Sequence, residues 1–121
     1  MQTAKASERD KARFRALVPD HPAVEVRPMF GNLGAFVNGN MFAGLFGNRI
    51  GLMLADDDRA ELARIEGTGP FEPGGRPMGG YLGLPEAWID QPEVATPWLQ
   101  KALGLAVTLP PRGKSPRRSP T

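Results

Sequence analysis

Two turn signals, Asn38-Gly39 and Gly47-Asn48, stand one strand length apart inside an apolar stretch, and they constrain the fold more than any other feature of the chain. Two-residue hairpin loops need positive φ at their central positions, which Asn and Gly supply at least cost. From Val24 to Ala55 the pattern is therefore strand, folded back on itself twice. Counting outward from the first turn sets Val37 against Asn40, Phe36 against Met41 and Ala35 against Phe42. The second turn sets Phe46 against Arg49, Leu45 against Ile50, Gly44 against Gly51, Ala43 against Leu52, Phe42 against Met53 and Met41 against Leu54.

Side chains alternate across a strand, so these pairs sort onto two faces. One face carries Phe36, Met41, Ala43, Leu45, Ile50, Leu52 and Leu54, with Gly34 as a gap, and is expected to be the core. The other carries Leu33, Ala35, Phe42, Gly44, Phe46, Gly51 and Met53, with Val37, Asn40 and Arg49 toward its ends. Facing glycines on adjacent strands leave a shallow trough between larger apolar neighbours, a shape that can receive another backbone or side chain. Three occupants fit it: the chain's own terminal helix, a partner protein or second copy, or a small molecule.

Around this sheet the helical signals are local. Ser7 can cap a helix over about 8–18 that buries Phe14, Leu17 and Val18 and ends at Pro19, with Arg9, Lys11, Arg13 and Arg15 as a solvated face. In "ADDDRAELARIEG", Asp58 and Glu61 fit a capping box and Gly67 a helix stop. The three consecutive Asp are better explained as partners of the helix dipole than as metal ligands, having no further acid or His at ligand spacing. "GTGPFEPGGRPMGG" is a loop by composition and leads into a strand at about 78–84; "EAWID" can form a short helical turn. Thr96-Pro97 can start a final helix, or one longer helix can run from Pro92 with a kink at Pro97. "RPM" occurs at both 27–29 and 76–78 without wider similarity, which points to two strand starts rather than a repeat, since proline costs a ladder nothing at a first residue or an edge.

The residue inventory excludes much chemistry. With no cysteine there are no disulfides, thiolate nucleophiles or Cys-ligated metals. The single histidine, His21, lies in a loop between Asp20 and Pro22, and the serines, Ser7, Ser115 and Ser119, are all near the termini, so no acid–base or Ser–His–acid constellation is expected. "GNLG" and "GGRPMGG" lack the residues of phosphate-binding loops, and their glycines suit a bulge and turns. No enzyme activity, cofactor, metal or small-molecule substrate is expected. No apolar run is long enough to span a membrane and the N-terminus lacks the apolar centre of a secretory signal, so the expectation is a soluble, cytoplasmic protein.

Charge divides unevenly. Residues 112–121 carry Arg112, Lys114, Arg117 and Arg118 with no acid, whereas the other 111 residues hold 11 basic and 13 acidic groups. Any attraction to nucleic acid that rests on net charge therefore belongs to the tail, where "SPRR" suits the narrow minor groove of A·T-rich DNA. The division expected is a domain over 1–109 and a disordered basic Pro/Ser/Arg tail over 110–121.

"RPMFGNLGAFVNGNMFAGLFGNRIGLMLADDD", then "GPFEPGGRPMGGYLGLPEAW" and a terminal helix, resembles the N-terminal domain of the TfoX (Sxy) competence regulators over about Phe14 to Leu105. The matching signature is Arg27, Met29, Phe30 and Gly31, then Gly75, Arg76, Pro77 and Met78; Asn38 stands where the family has Asp at the hairpin. The resemblance implies an α+β domain, a single antiparallel sheet of about five strands in α-β3-α-β2-α order with helices on one face. It also implies a non-catalytic role, in bacteria, in regulating genes for DNA uptake or a related regulatory role. The glycine-lined face makes a protein partner or a homodimer the expected route of that role. In place of the helical second domain of the longer regulators the sequence has the short basic tail, and DNA contact through it is the alternative role.

Overall fold

The computed structural model describes residues 6–29, 31–72 and 79–111. In chain order these form α1 (Glu8–Leu17), β1 (Val24–Met29), β2 (Asn32–Val37), β3 (Asn40–Phe46), β4 (Arg49–Met53), α2 (Asp56–Ala63), β5 (Gly69–Pro70), β6 (Tyr81–Gly83), a 3-10 helix (Glu86–Asp90) and α3 (Pro92–Ala106). The strands make one antiparallel sheet in the order β1-β2-β3-β4-β6-β5. Six strands thus replace the expected five or so. The extra strand arises because Gly31, at φ 84°, stands between β1 and β2 where the apolar pattern suggests one strand; the group after α2 keeps its two strands, one of them the short Gly69–Pro70 inside the expected loop.

The first hairpin turn has φ 52° at Asn38 and 82° at Gly39, the positive pair that a type I′ turn requires. At the second turn only Gly47 has positive φ (63°), the pattern of the II′ turn. Ser7 caps α1 as expected, its Oγ accepting the Asp10 N–H at 3.0 Å. On α1, Lys11 pairs with Glu8 at 3.2 Å, and Arg13 reaches Asp90 of the 3-10 helix at 2.9 Å. Asp58 does not cap α2, which begins at Asp56 with Ala55 at the cap position and no side-chain cap bond. The acids instead line its first turn, Asp56 pairing with Arg59 at 2.6 Å and Asp58 with Lys101 at 3.5 Å. Gly67 lies in the turn beyond α2 at φ 99° rather than directly after the helix. The final helix takes the longer course from Pro92, with Pro97 inside it.

Phe14 and Leu17 of α1, Leu62 of α2, Ile89 and the inward residues of α3 join one buried cluster with Leu33, Ala35, Val37, Phe42, Ala43, Leu45, Ile50 and Leu52 of the sheet. This places the described helices on one side, with α3 packed across β3 and β4. The architecture is a two-layer α+β domain. No helix among the described residues is long and apolar enough to cross a membrane.

Candidate functional site

Sheet parity decides which residues reach the side away from the helices, and one irregularity resets it. Between β2 and β3 the register runs Val37 with Asn40 and Phe36 with Met41, then jumps to Ala35 with Ala43, leaving Phe42 as an extra residue. Such a bulge inverts the facing of every residue paired beyond it. The expected pairs Ala35–Phe42, Phe42–Met53 and Met41–Leu54 are accordingly not formed. Leu33, Ala35, Val37 and Phe42, assigned from the sequence to the glycine side, are fully or almost fully buried in the helix-side core. Phe36 and Met41, assigned to the core, lie on the glycine side instead, above Gly34. The pairs counted from the second turn hold from Phe46–Arg49 to Ala43–Leu52, so Gly44, Phe46 and Gly51 keep their expected face; Met53, paired with Tyr81 of β6, follows Gly51 by alternation and also touches the core cluster.

The bulge also aligns glycines across the sheet. Gly34 faces Gly44, Gly44 faces Gly51, Gly51 faces Gly83 and Gly83 faces Gly69, a bare row over five adjacent strands. The trough is real, and the chain fills it. Phe71, just after β5, lies flat on Gly51: a Cβ there would come within 2.2 Å of the ring. The ring is 1% exposed, meets Phe46 edge-on at a centroid distance of 5.6 Å and lies 6.1 Å from Tyr81. Arg49 covers the β6 end, its Cδ over Gly83, and its guanidinium donates to the carbonyls of Leu84 (2.7 Å) and Gly67 (3.2 Å). At the β2 end Phe36, Met29 and Met41 lean over Gly34, and Arg27 stacks on the Phe36 ring at 4.6 Å while pairing with Glu25 at 3.1 Å. Self-coverage therefore comes from one loop aromatic and an arginine, whereas the terminal helix lies on the opposite face.

Two polar ties stabilise this arrangement, and sequence reading identified neither. Tyr81 donates its phenolic hydrogen to the Met41 carbonyl at 2.6 Å, at the end of β3 where pairing with β4 has stopped. Asn32, fully buried, accepts the N–H groups of Ala6 (2.8 Å) and Gly47 (3.0 Å) through Oδ1, fastening the N-terminal segment and the second turn to the start of β2. Asn32 belongs to the "GNLG" stretch, where a polar residue directly after a turn glycine gives no sign of burial. The glycine row did leave a signal: setting Gly34 opposite Gly44 requires one more residue in β3 than the turn count allows.

Among the described residues no three His, Asp or Glu side chains cluster as a metal site would require. His21 is exposed, its Nδ1 accepting the Ala23 N–H at 3.0 Å. A cleft of about 590 Å³ between α2 and the β5–β6 edge is lined by Asp56, Arg59, Thr68 and Tyr81, but Arg59 is bound to Asp56 and to the Leu54 carbonyl, and Tyr81 to Met41. Of the signature residues, Arg27 and Met29 lie on β1 and Gly31 in the turn after it. The proline of "RPM" is the fifth residue of β1 rather than its first, tolerated because β1 is an edge. Phe30, Gly75, Arg76, Pro77 and Met78, and the tail residues Arg112, Lys114, Arg117 and Arg118, lie outside the described residues.

The described residues form a helix-backed antiparallel sheet, the class of a two-layer α+β domain, whose second face is covered in part by Phe71 and Arg49. A family model described as TfoX N-terminal domain matches residues 16–106, and the chain belongs to that family. No curated protein and no solved structure matches it.

Proposed function

We propose that this domain is a cytoplasmic, non-catalytic regulatory module that acts by binding a protein partner on the helix-free face of its sheet. The observation that carries this reading is the family membership joined to the make-up of that face. Phe36, Met41, Phe46 and Met53 are half-buried there beside the charged pair Glu25 and Arg27, a mixture of apolar surface and polar rim typical of transient interfaces. Gly44 and Gly51 contribute indirectly, by holding Phe71 low enough to keep the face flat. Leu33, Ala35 and Phe42 belong to the core and support the sheet from behind.

Replacing the chromosomal gene with a Phe36→Glu version tests the proposal. Phe36 is partly exposed, so the variant is expected to fold. Its transcript profile should match that of the deletion strain, whereas a charge change on α1, such as Arg9→Glu, should leave the profile at wild type. A deletion strain with unaltered transcripts would remove the regulatory role, and a Phe36→Glu strain indistinguishable from wild type would remove this face. DNA contact through Arg112, Lys114, Arg117 and Arg118 is the competing role. It predicts duplex binding that falls steeply with salt and is lost on truncation after Pro110.

A further inference from the structure

The sheet ends on β1, and its outer edge is a row of main-chain groups whose direction can be worked out residue by residue. Met29 and Asn32 are paired with only two residues between them in sequence, which makes that pair the hydrogen-bonded kind. By alternation Glu25, Arg27 and Met29 direct their N–H and C=O groups to β2, and Val24, Val26 and Pro28 direct theirs to the open edge. Two facts agree. The Val24 N–H is bonded to the His21 carbonyl, as a group turned away from β2 can be, and Pro28, which has no N–H, sits at a position where β2 asks for none.

From this edge the geometry points to a symmetric dimer in which two β1 strands pair antiparallel about a two-fold axis through Val26. Antiparallel self-pairing of this strand has three central registers, and charge selects among them. An axis through Glu25 sets Glu25 against its own copy, and an axis through Arg27 sets Arg27 against its own copy; like charges directly opposite are destabilising. An axis through Val26 sets Glu25 of each protomer opposite Arg27 of the other, two complementary pairs from one symmetry operation. In the same register Val26 exchanges both main-chain hydrogen bonds with its copy. Val24 meets Pro28 on the helix side, where Val24 and Val26 are only half-buried at the margin of the core.

Protection of a lone edge is the obvious competing explanation for charges and a proline on β1. A row of one sign of charge would repel a second copy in every register. Here Glu25 and Arg27 alternate and repel only in the two wrong ones. Pro28 withholds the outward N–H that would let pairing run on, and the far edge, β5, is only two residues long, so assembly closes at two copies rather than growing into a fibre. The proposed pairing runs along the outer edge of β1; because Glu25 and Arg27 also rim the helix-free face, it is read by self-association and not by transcript profile.

The chain lacks cysteine, so a register-specific cross-link tests the dimer directly. Glu25→Cys and Arg27→Cys chains are prepared separately, checked for unaltered circular dichroism, mixed and oxidised. In the stated register residue 25 of one copy faces residue 27 of the other with Cα atoms about 4.5 Å apart, within disulfide range, whereas two copies of residue 25 are more than about 7 Å apart. The mixture should give a disulfide-linked dimer containing both variants, and neither chain alone should cross-link. A second arm uses sedimentation. Glu25→Arg should weaken self-association at least tenfold, and Glu25→Arg combined with Arg27→Glu should restore it, because the reversed pairs are again complementary. Cross-linking of the single-variant chains as readily as the mixture would overturn the register. Monomeric sedimentation of the wild type at every concentration, or a dimer indifferent to Glu25→Arg, would overturn the proposal.

Discussion

Phe71 on Gly51 is the contact on which the second face of the sheet depends. The ring lies where a Cβ at position 51 would have to be, and it is closed in by Phe46 and Tyr81, so neither partner has room to give. Gly51→Ala is therefore expected to cost about 2–3 kcal/mol, the scale of an overpacked closed site. Gly34→Ala should cost about 1 kcal/mol or less, because the atoms it meets are the ends of the Phe36, Met29 and Met41 side chains, which can change rotamer. Phe71→Ala alone should cost roughly 3 kcal/mol through the lost burial and the cavity. In the double variant the alanine at 51 occupies vacated space, so the two costs should fall short of adding by on the order of 2 kcal/mol. Urea unfolding of the four proteins measures this; additive costs would show that Phe71 does not rest on Gly51.

At the scale of elements, α3 keeps its length in spite of its own sequence. Pro97 withholds an N–H from the Glu93 carbonyl and crowds it, yet the helix runs from Pro92 to Ala106 because Ala95, Leu99, Ala102, Leu103 and Ala106 bury one continuous face. Pro97→Ala should raise stability by about 1–2 kcal/mol, since the proline is exposed and its replacement restores the missing N–H. A loss of stability on that change would mean that the proline itself is required. Sequence reading set out both courses for this helix because propensity favours a break at Thr96-Pro97 and only the packing face decides. The hairpins were legible for the opposite reason: turn chemistry is local, and Asn38-Gly39 and Gly47-Asn48 fix their registers within a few residues. What turn counting could not reach was the bulge at Phe42. An extra residue in a strand of consecutive apolar side chains changes no local preference and is selected by contacts with strands elsewhere in the chain. The candidate face was legible as a glycine trough. Its occupant was not, because Phe71 lies in a loop whose composition gives no hint of where it folds back.

For the molecule as a whole, a single buried cluster takes in both helical ends of the chain and the sheet between them, and Asn32 fastens the N-terminal segment to the middle of the sequence. Unfolding should accordingly be one cooperative event. Trp88 and Trp98 both pack against the cluster, so tryptophan fluorescence and far-ultraviolet circular dichroism should follow the same urea transition, and separate midpoints would show that α3 comes away on its own. The extra residue at Phe42 has a further implication for comparing related chains. It acts as a half-step dislocation: the first two strands are written in one phase of the apolar alphabet and the next two in the other. A homologue lacking the insertion would have to shift the hydrophobic letters of its leading hairpin by one place to keep the same side wet, so gap placement at this single column decides whether aligned positions are physical equivalents or opposites.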